Sequence, residues 1–421
     1  MKTSKLLLTI TLMVLGLNSR AQELDVNIQL RPRFEFRNGY KTLRDASAES
    51  ASFISQRSRL GLIYREDRLK VHVSFQNISN WGDKLQGAAI DRNSTGIFEA
   101  NASYQFNDFI GIKAGRQVLS YDNERIFGEV NWPQAARAHD ALLIKMKPGK
   151  NQLLDMGFAL NSDEESLKKL PYQTKNYKSM QYAWYHKDFA PLSLSLLFLN
   201  TGYEITELEG RLKNDYQQTF GGILKYNRSK LSVDGAMYGQ QGKKDGQDVN
   251  AWYASLNLNY PLTSDLVAGM GMEYLSGTSQ EDVSGNNESF MPLFGTNHAF
   301  NGTLDYFYVG NHQNSVGLKD FYGKLVFSQP KYSLQLKSHL FYAAETILNR
   351  DENTIMDNYL ATEIDFSASY KVQKSLTLNL GYSQLFATES LEQLKGGDSS
   401  LSQNWAWLSL TFNPSFKILI K

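Results

Sequence analysis

The sequence predicts a transmembrane antiparallel β-barrel of about 18 strands. Three observations carry this: one long stretch of unbroken alternation, connections sorted by length, and no mature run of about 18 apolar residues that could form a helical span. In Leu24–Arg37, LDVNIQLRPRFEFR, every even residue from Leu24 to Phe36 is apolar and every odd residue from Asp25 to Arg37 is polar. A period of two means a strand with one apolar face and one charged face. In a soluble sandwich the polar face meets water and the apolar face a core. In an outer-membrane barrel the apolar face meets lipid and the polar face a wet lumen. The connections further along decide between them.

Ahead of that strand, Lys2 and Lys5 form a positive segment and Leu6–Leu17 an apolar one. Ser19 and Ala21 are small residues placed for cleavage before Gln22. Residues 1–21 therefore read as a signal peptide, and residues 22–421 as a single barrel domain exported to a Gram-negative outer membrane. The absence of cysteine excludes lipoprotein processing, disulfides and thiolate chemistry. Removing residues 1–21 takes away Lys2, Lys5 and Arg20, leaving 41 basic against 43 acidic residues, a net charge of −2. That balance gives no argument for a nucleic-acid partner. The 23 Tyr, 23 Phe and 6 Trp suit strands and interfacial girdles.

Alternation continues in hairpins closed by short turns: Ser52–Arg65 with Leu69–Ser79, Ile97–Phe106 with Phe109–Leu119, Ala136–Lys147 with Asn151–Asn161, and Tyr177–Lys187 with Leu192–Asn200. The later ones are Tyr216–Tyr226 with Leu231–Gln240, Asn250–Tyr260 with Asp265–Gly277, Gly317–Ser328 with Tyr332–Ala344, and Tyr359–Tyr370 with Leu376–Ala387. A last strand covers Asn404–Phe412. Longer polar connections lie between the hairpins, and they include Asn38–Ala51, Asn80–Gly96, Ser120–Ala135, Ser162–Asn176, Thr201–Asp215, Thr278–Val316 and Thr388–Gln403. Phe300–Gly310 is assigned to the long seventh loop, because a lone extra strand breaks the even count. Long loops on one rim and short turns on the other are what an outer-membrane barrel requires. A sandwich has no reason to sort its connections this way. The first strand starts almost at the cleavage site, so no plug domain is expected ahead of it.

The same alternation names the lumenal residues. The first strand gives Arg31, Arg33, Glu35 and Arg37, and the second Ser55, Arg57, Arg59 and Arg65. Lys70 and His72, then Glu99 and Asn101, follow on the third and fourth, and Arg137, His139, Lys145 and Lys147 on the sixth. Arg116 on the fifth strand shares parity with Ile112 and Ala114, which points it outward unless a bulge at Gly115 re-aims it. Such a wall attracts anions and can grip carboxylates. Two readings stay open: anion selectivity, or bracing by Glu35, Glu99, Glu124 and Asp140. Glu363 and Asp365 make the later strands more acidic, so a field across the lumen is expected.

Ser120–Ala135, SYDNERIFGEVNWPQA, is the candidate for a loop folded into the pore, with an outward loop as the alternative. His298, Asp305, His312 and Asp320 could ligate a cation, but their spacing is not specific, and no metal or other cofactor is expected. Asn301–Gly302–Thr303 matches a glycosylation sequon by chance. His186 and Ser338 have no evident catalytic partners, so no enzymatic activity is expected.

Four stretches resemble the alginate-export family of outer-membrane porins: RPRFEFRNGY at Arg31–Tyr40, SQRSRLGLIYRED at Ser55–Asp67, GRQVLSYDNERIFGEVNWPQAARAHDALLIK at Gly115–Lys145, and the FGTNHAFNGTLDYF…GLKDFY block at Phe294–Tyr322. The resemblance implies an 18-stranded barrel with an electropositive constriction that passes a polyuronate. It implies pore roles for Arg116, Glu124, Arg125 and Arg137. The expected function is a passive, monomeric channel for anionic solutes such as acidic oligo- or polysaccharides, embedded in outer-membrane lipids. A general porin of low selectivity, or a closed structural or adhesive barrel acting through its loops, are the alternatives. The chain also runs past Phe412, where most such barrels end.

Overall fold

The computed structural model describes residues 22–83, 94–174, 176–207, 210–349 and 351–420; the expected signal peptide lies outside them. Nineteen strands follow in chain order. They are β1 (Gln22–Asn38), β2 (Ala51–Glu66), β3 (Leu69–Asn80), β4 (Ser94–Gln105), β5 (Ile110–Gln117), β6 (His139–Met146), β7 (Gln152–Leu160), β8 (Ser179–Phe189) and β9 (Leu192–Thr206). Next come β10 (Leu212–Arg228), β11 (Leu231–Lys244), β12 (Gln247–Pro261), β13 (Leu266–Leu275), β14 (Leu318–Ser328) and β15 (Tyr332–Tyr342). The last are β16 (Tyr359–Gln373), β17 (Leu376–Ala387), β18 (Gln403–Phe412) and β19 (Ser415–Ile420). From β1 to β18 each strand pairs antiparallel with its sequence neighbours, and β18 and β19 both pair with β1, which closes the sheet.

The circle has 18 positions, because β18 and β19 share one. Phe412 pairs with Leu30 at the lower end of β18, and β19 then covers Gln22–Asn27 of the same β1. Between them Pro414 has no N–H to donate, yet its carbonyl accepts from Ile28 N at 3.0 Å, so the ladder continues across the break. The residues past Phe412 therefore complete the closing seam.

β1 and β2 pair without slippage from Gln22↔Glu66 to Arg37↔Ala51, so the even residues of both strands share one face and the odd residues the other. Ile28, Leu30, Phe34 and Leu60 are exposed on the outer wall, as are Leu256, Met270 and Leu336 far along the chain. Such an apolar belt around a closed sheet is the lipid-facing band. The short turns fall on one rim, as expected. On the other rim two connections are shorter than the hydropathy pattern predicts: β9 and β10 extend to leave only residues 207–211, and β11 meets β12 at Asp245–Gly246. Above the membrane both faces are wet, so hydrogen bonding continues where alternation has stopped. Lys243 paired with Asp248 at 3.1 Å belongs to that extension.

The expectation of a wet lumen holds only in part. Phe127, Phe290, Leu304, Tyr306 and Phe307, all from loops, are buried inside the barrel. Phe300–Gly310 is loop, as expected, preceded by one 3₁₀ turn at Asn297–Ala299.

Candidate functional site

The lumenal face of β1 and β2 sets arginines against one another, with Arg31 directly opposite Arg57 and Arg59 opposite Gln29. Like charges placed so cost stability unless something else holds them. What holds them is mostly neutral. Arg31 donates to the Gln134 side chain at 2.9 Å and to the carbonyls of Asn131, Trp132 and Pro133. Arg57 donates to Gln29 at 2.8 Å, and its Nη2 has no hydrogen-bond partner among the described residues. Arg59 donates to Gln76 at 2.7 Å and lies 3.7 Å over the Phe98 ring. Phe98 is brought inward by a bulge, where β3 pairs Ser74 with Glu99 and Phe75 with Ile97. Lower on this face Arg65 pairs with Asp25, but for Arg31, Arg33, Arg37, Arg57 and Arg59 the contacting carboxylate among the described residues is Glu35, 2.8 Å from Arg33 and 2.9 Å from Arg37, which also accepts from Trp405 Nε1. Among the described residues, five arginines thus share one directly bonded acid.

The connection after β5 folds into the barrel. Trp184 Nε1 donates to Asp122 on one side, while Gln134 and Trp132 lie against β1 and β2 on the other. Trp132 is held between the Arg33 guanidinium, 3.9 Å from its centroid, and the His298 ring, stacked at 4.6 Å.

The long loop after β13 crosses the lumen and lies along this one, with Gly128 N bonded to Phe294 O and Thr296 N to Glu124 O. Its far side docks on acids from later strands. Asn301 donates to Glu273 at 2.8 Å and Asp320 at 3.1 Å, Thr303 to Asp365 at 2.6 Å, and Leu304 N to Glu363 at 2.8 Å. Asn301 and Gly302 have φ of +55° and +83°, and a Cβ on Gly302 would lie 2.3 Å from Glu363 Oε2. Only glycine lets the chain turn that close to the carboxylate. Asn301–Gly302–Thr303 is therefore the docking turn of the loop. The expected field across the lumen is present, with arginines on β1–β2 facing acids on β13, β14 and β16.

The loops leave cavities beside them. An upper one of about 500 Å³ is lined by Arg33, Arg37, Lys41 and Arg137, with Glu35 and Asp305 as its acids. A lower one of about 470 Å³ opens among β15–β18 toward the short-turn rim. Trp132 and His298 line both. Arg137, bonded to Gly295 O at 3.3 Å, also borders a side cavity of about 670 Å³ against Tyr172, Tyr177 and Lys244.

Three residues singled out by resemblance are placed away from the upper passage. Arg116 keeps the parity of Ile112 and Ala114, with no register shift at Gly115, and pairs across the sheet with Asp140 at 2.8 Å. Arg125 is fully buried and lines none of these cavities; it links the two loops, with Asn301 at 2.8 Å and Glu273 at 3.2 Å. Glu124 binds Ser120 and Thr296 and meets no arginine at ion-pair distance among the described residues. Of the expected braces, Glu35 and Asp140 act as such, whereas Glu99 lies 3.5 Å from His72. The four candidate cation ligands do not converge: His298 bonds Asp305 at 2.6 Å, Asp320 bonds His339, and His312 faces the Gly317 carbonyl. His186 does have partners, Ser195 at 2.8 Å and Asp188 at 3.2 Å, but Ser195 is buried in the wall. Sequence reasoning missed Gln134 and the indoles of Trp405 and Trp407; it named His298 only as a possible cation ligand and included Trp132 only as part of the candidate inward loop. The odd parity of Trp405 and Trp407 was the available signal for those two.

A short helix, α1 (Glu389–Lys395), covers the long loop from outside the membrane. Lys395 donates to Asn311 O and lies 5.7 Å over the Phe307 ring. Burial pulls its ammonium down to about 7. In the unfolded chain it titrates near about 10.4. Below pH 7 both states hold the proton and the full penalty applies; between pH 7 and about 10 the unfolded state holds the extra proton, so stability rises with pH. Lys395→Met should therefore be more stable than the parent by up to about 4 kcal/mol at pH 6, the gap closing by about pH 10. Thermal unfolding of both proteins across that range checks it, and a pH-independent gap would refute it.

Across residues 22–403 the chain matches the alginate export family. No curated protein matches it. Among solved structures it is similar to the outer membrane protein OpdK of Pseudomonas aeruginosa, at 10% identity and a TM-score of 0.63, over 93% of this chain and 99% of that one. OpdK solved with vanillate gives 11% and 0.63 over 93% and 99%. OccAB4 of Acinetobacter baumannii gives 11% and 0.64 over 95% and 100%. At these identities the likeness shows the fold alone.

Proposed function

This chain belongs to the alginate export family, and on that footing we propose that it is a passive outer-membrane channel drawing anionic solutes, uronate-type saccharides foremost, past its arginine wall. The porin class and the outer-membrane location follow from the family and the barrel. The solute preference rests on one observation: Arg31, Arg57 and Arg59 are held by neutral groups, so their charge is not cancelled by contact with acid. In a water-filled passage the partly exposed Arg31 and Arg59 replace part of the hydration a carboxylate loses on entry, and the buried Arg57 adds its charge to the field. The neighbour solved with vanillate, itself a carboxylate, fits the same solute class.

The proposal includes a monomeric, single-domain barrel, exported with cleavage before Gln22. No catalysis enters it. A closed barrel acting through its loops is favoured by one feature, the aromatic core that the loops build in the upper lumen.

Planar-bilayer recording under a salt gradient tests the proposal. The expected result is steady conductance with an anion-selective reversal potential and block by mannuronate oligomers from either side. A cation-selective channel indifferent to the oligomers would discard the solute class, and folded protein without conductance would support the closed barrel.

A further inference from the structure

The lower cavity differs in chemistry from the arginine wall. The inward positions of β15–β17 are small and mainly neutral there: Gln335, Ser367, Ser369 and Asn379 line the space, with Lys337 and Asp365 toward its upper end. Hydroxyls and amides that both donate and accept suit a ligand made of hydroxyls better than a carboxylate.

Beside them stand two indoles with different duties. Trp405 is fully buried, its Nε1 tied to Glu35. Trp407, two residues on and of the same parity, stays partly exposed. Opposite it in the ladder is Gly381, where an added Cβ would lie 2.3 Å from Trp407 Nε1. The indole thus lies against bare backbone of β17 and also lines the cavity. The Trp132 ring is steeply inclined to it, at 64° with the centroids 4.9 Å apart. A flat apolar face beside a hydroxyl-rich wall offers a sugar ring both things it needs: a surface for its C–H face and partners for its hydroxyls.

We infer that the lower cavity is a stacking subsite for a pyranose ring, with Trp407 as its platform and Asn379, Ser367 and Ser369 as hydrogen-bonding partners. The inference deepens the channel reading by naming the saccharide ring as a recognised feature, and it is independent of the solute's charge. It makes the passage bipartite: charge selects at the arginine wall, and ring shape retains below it.

The probe is cellotetraose, a neutral oligosaccharide, titrated into the refolded full-length barrel while tryptophan fluorescence is followed. This readout works whether or not the pore conducts. The parent protein should show a saturable change, and Trp407→Phe should retain it with affinity weakened about threefold. Trp407→Ala should weaken it at least about tenfold. Gly381→Val, which pushes the indole off the wall, should act like the alanine variant. If Trp407 merely braces Trp132, alanine there would change conductance noise and leave cellotetraose binding intact. That result overturns the inference, as does a parent protein that does not respond to cellotetraose. Failure of the charge reading would appear instead as an altered reversal potential with sugar binding unchanged.

Discussion

Alanine at Arg125 should free both lumenal loops and raise single-channel conductance severalfold while leaving the barrel wall folded. The side chain has no exposed surface, and its Nη2 holds Asn301 and Glu273 together. Its plane lies 4.5 Å from the Phe300 ring centroid and 5.2 Å from that of Tyr253. Removing it leaves Glu273 buried, with only Tyr253 and Asn301 as donors. Breaking one side of a buried ion pair costs about 3–5 kcal/mol. The loss falls on loop docking, because the ladders of β1–β19 do not pass through Arg125. A loop docked by a comparable free energy then spends much of its time undocked. Conductance should become larger and noisier, and proteases should cut folded protein within residues 118–138 or 276–317. Arg125→Ala with Glu273→Ala should recover part of the docking, since no carboxylate is left without its partner. Unchanged conductance and protection in the single variant would show that the aromatic core alone holds the loops.

The barrel was legible because its signal is repeated on every strand. Alternation in Leu24–Arg37 fixed the parity of β1, and the pairing of β1 with β2 carries that parity across the sheet. Arg116 is instructive here. Local parity pointed it outward and a resemblance pointed it inward; the register follows parity, while Arg116 with its partner Asp140 still borders the side cavity beside Arg137. The lumenal loops were less legible, because their contacts join residues more than a hundred positions apart. Nothing near Arg125 in sequence tells that Asn301 receives it, and nothing near Trp132 tells that His298 stacks on it. Pattern reasoning also treats a lumen as water. It therefore read Phe300–Gly310 as a loop without foreseeing that Leu304, Tyr306 and Phe307 make a core there. Polar strand extensions such as Lys243–Lys244 were lost for the opposite reason: where both faces are wet, hydropathy stops reporting the strand.

Glutamine at both Arg57 and Arg59 should lower anion preference, and glutamine at Glu35 should raise it. The pair is chosen because both arginines bond neutral groups, so their removal strands no carboxylate. A unit charge acting on a solute about 10 Å away contributes about 0.4 kcal/mol in bulk water and about 1.7 kcal/mol at an effective dielectric constant of about 20. Two such charges change anion occupancy by between about fourfold and a few hundredfold, and the anion-to-cation permeability ratio falls with it. Glu35→Gln works in the other direction: it keeps one oxygen, for Arg33 or for Arg37 and Trp405, while removing the acid that touches these arginines. Reversal potentials for the three proteins should fall in the order Glu35→Gln, parent, double variant. The spread should shrink in about 1 M salt, where screening acts within about 3 Å. A shift of the same sign in both variants would mean that loop position, and not lumenal charge, sets selectivity. Opposite shifts that collapse with salt would place the filter on the odd face of β1 and β2, where the alternation of fourteen residues first put it.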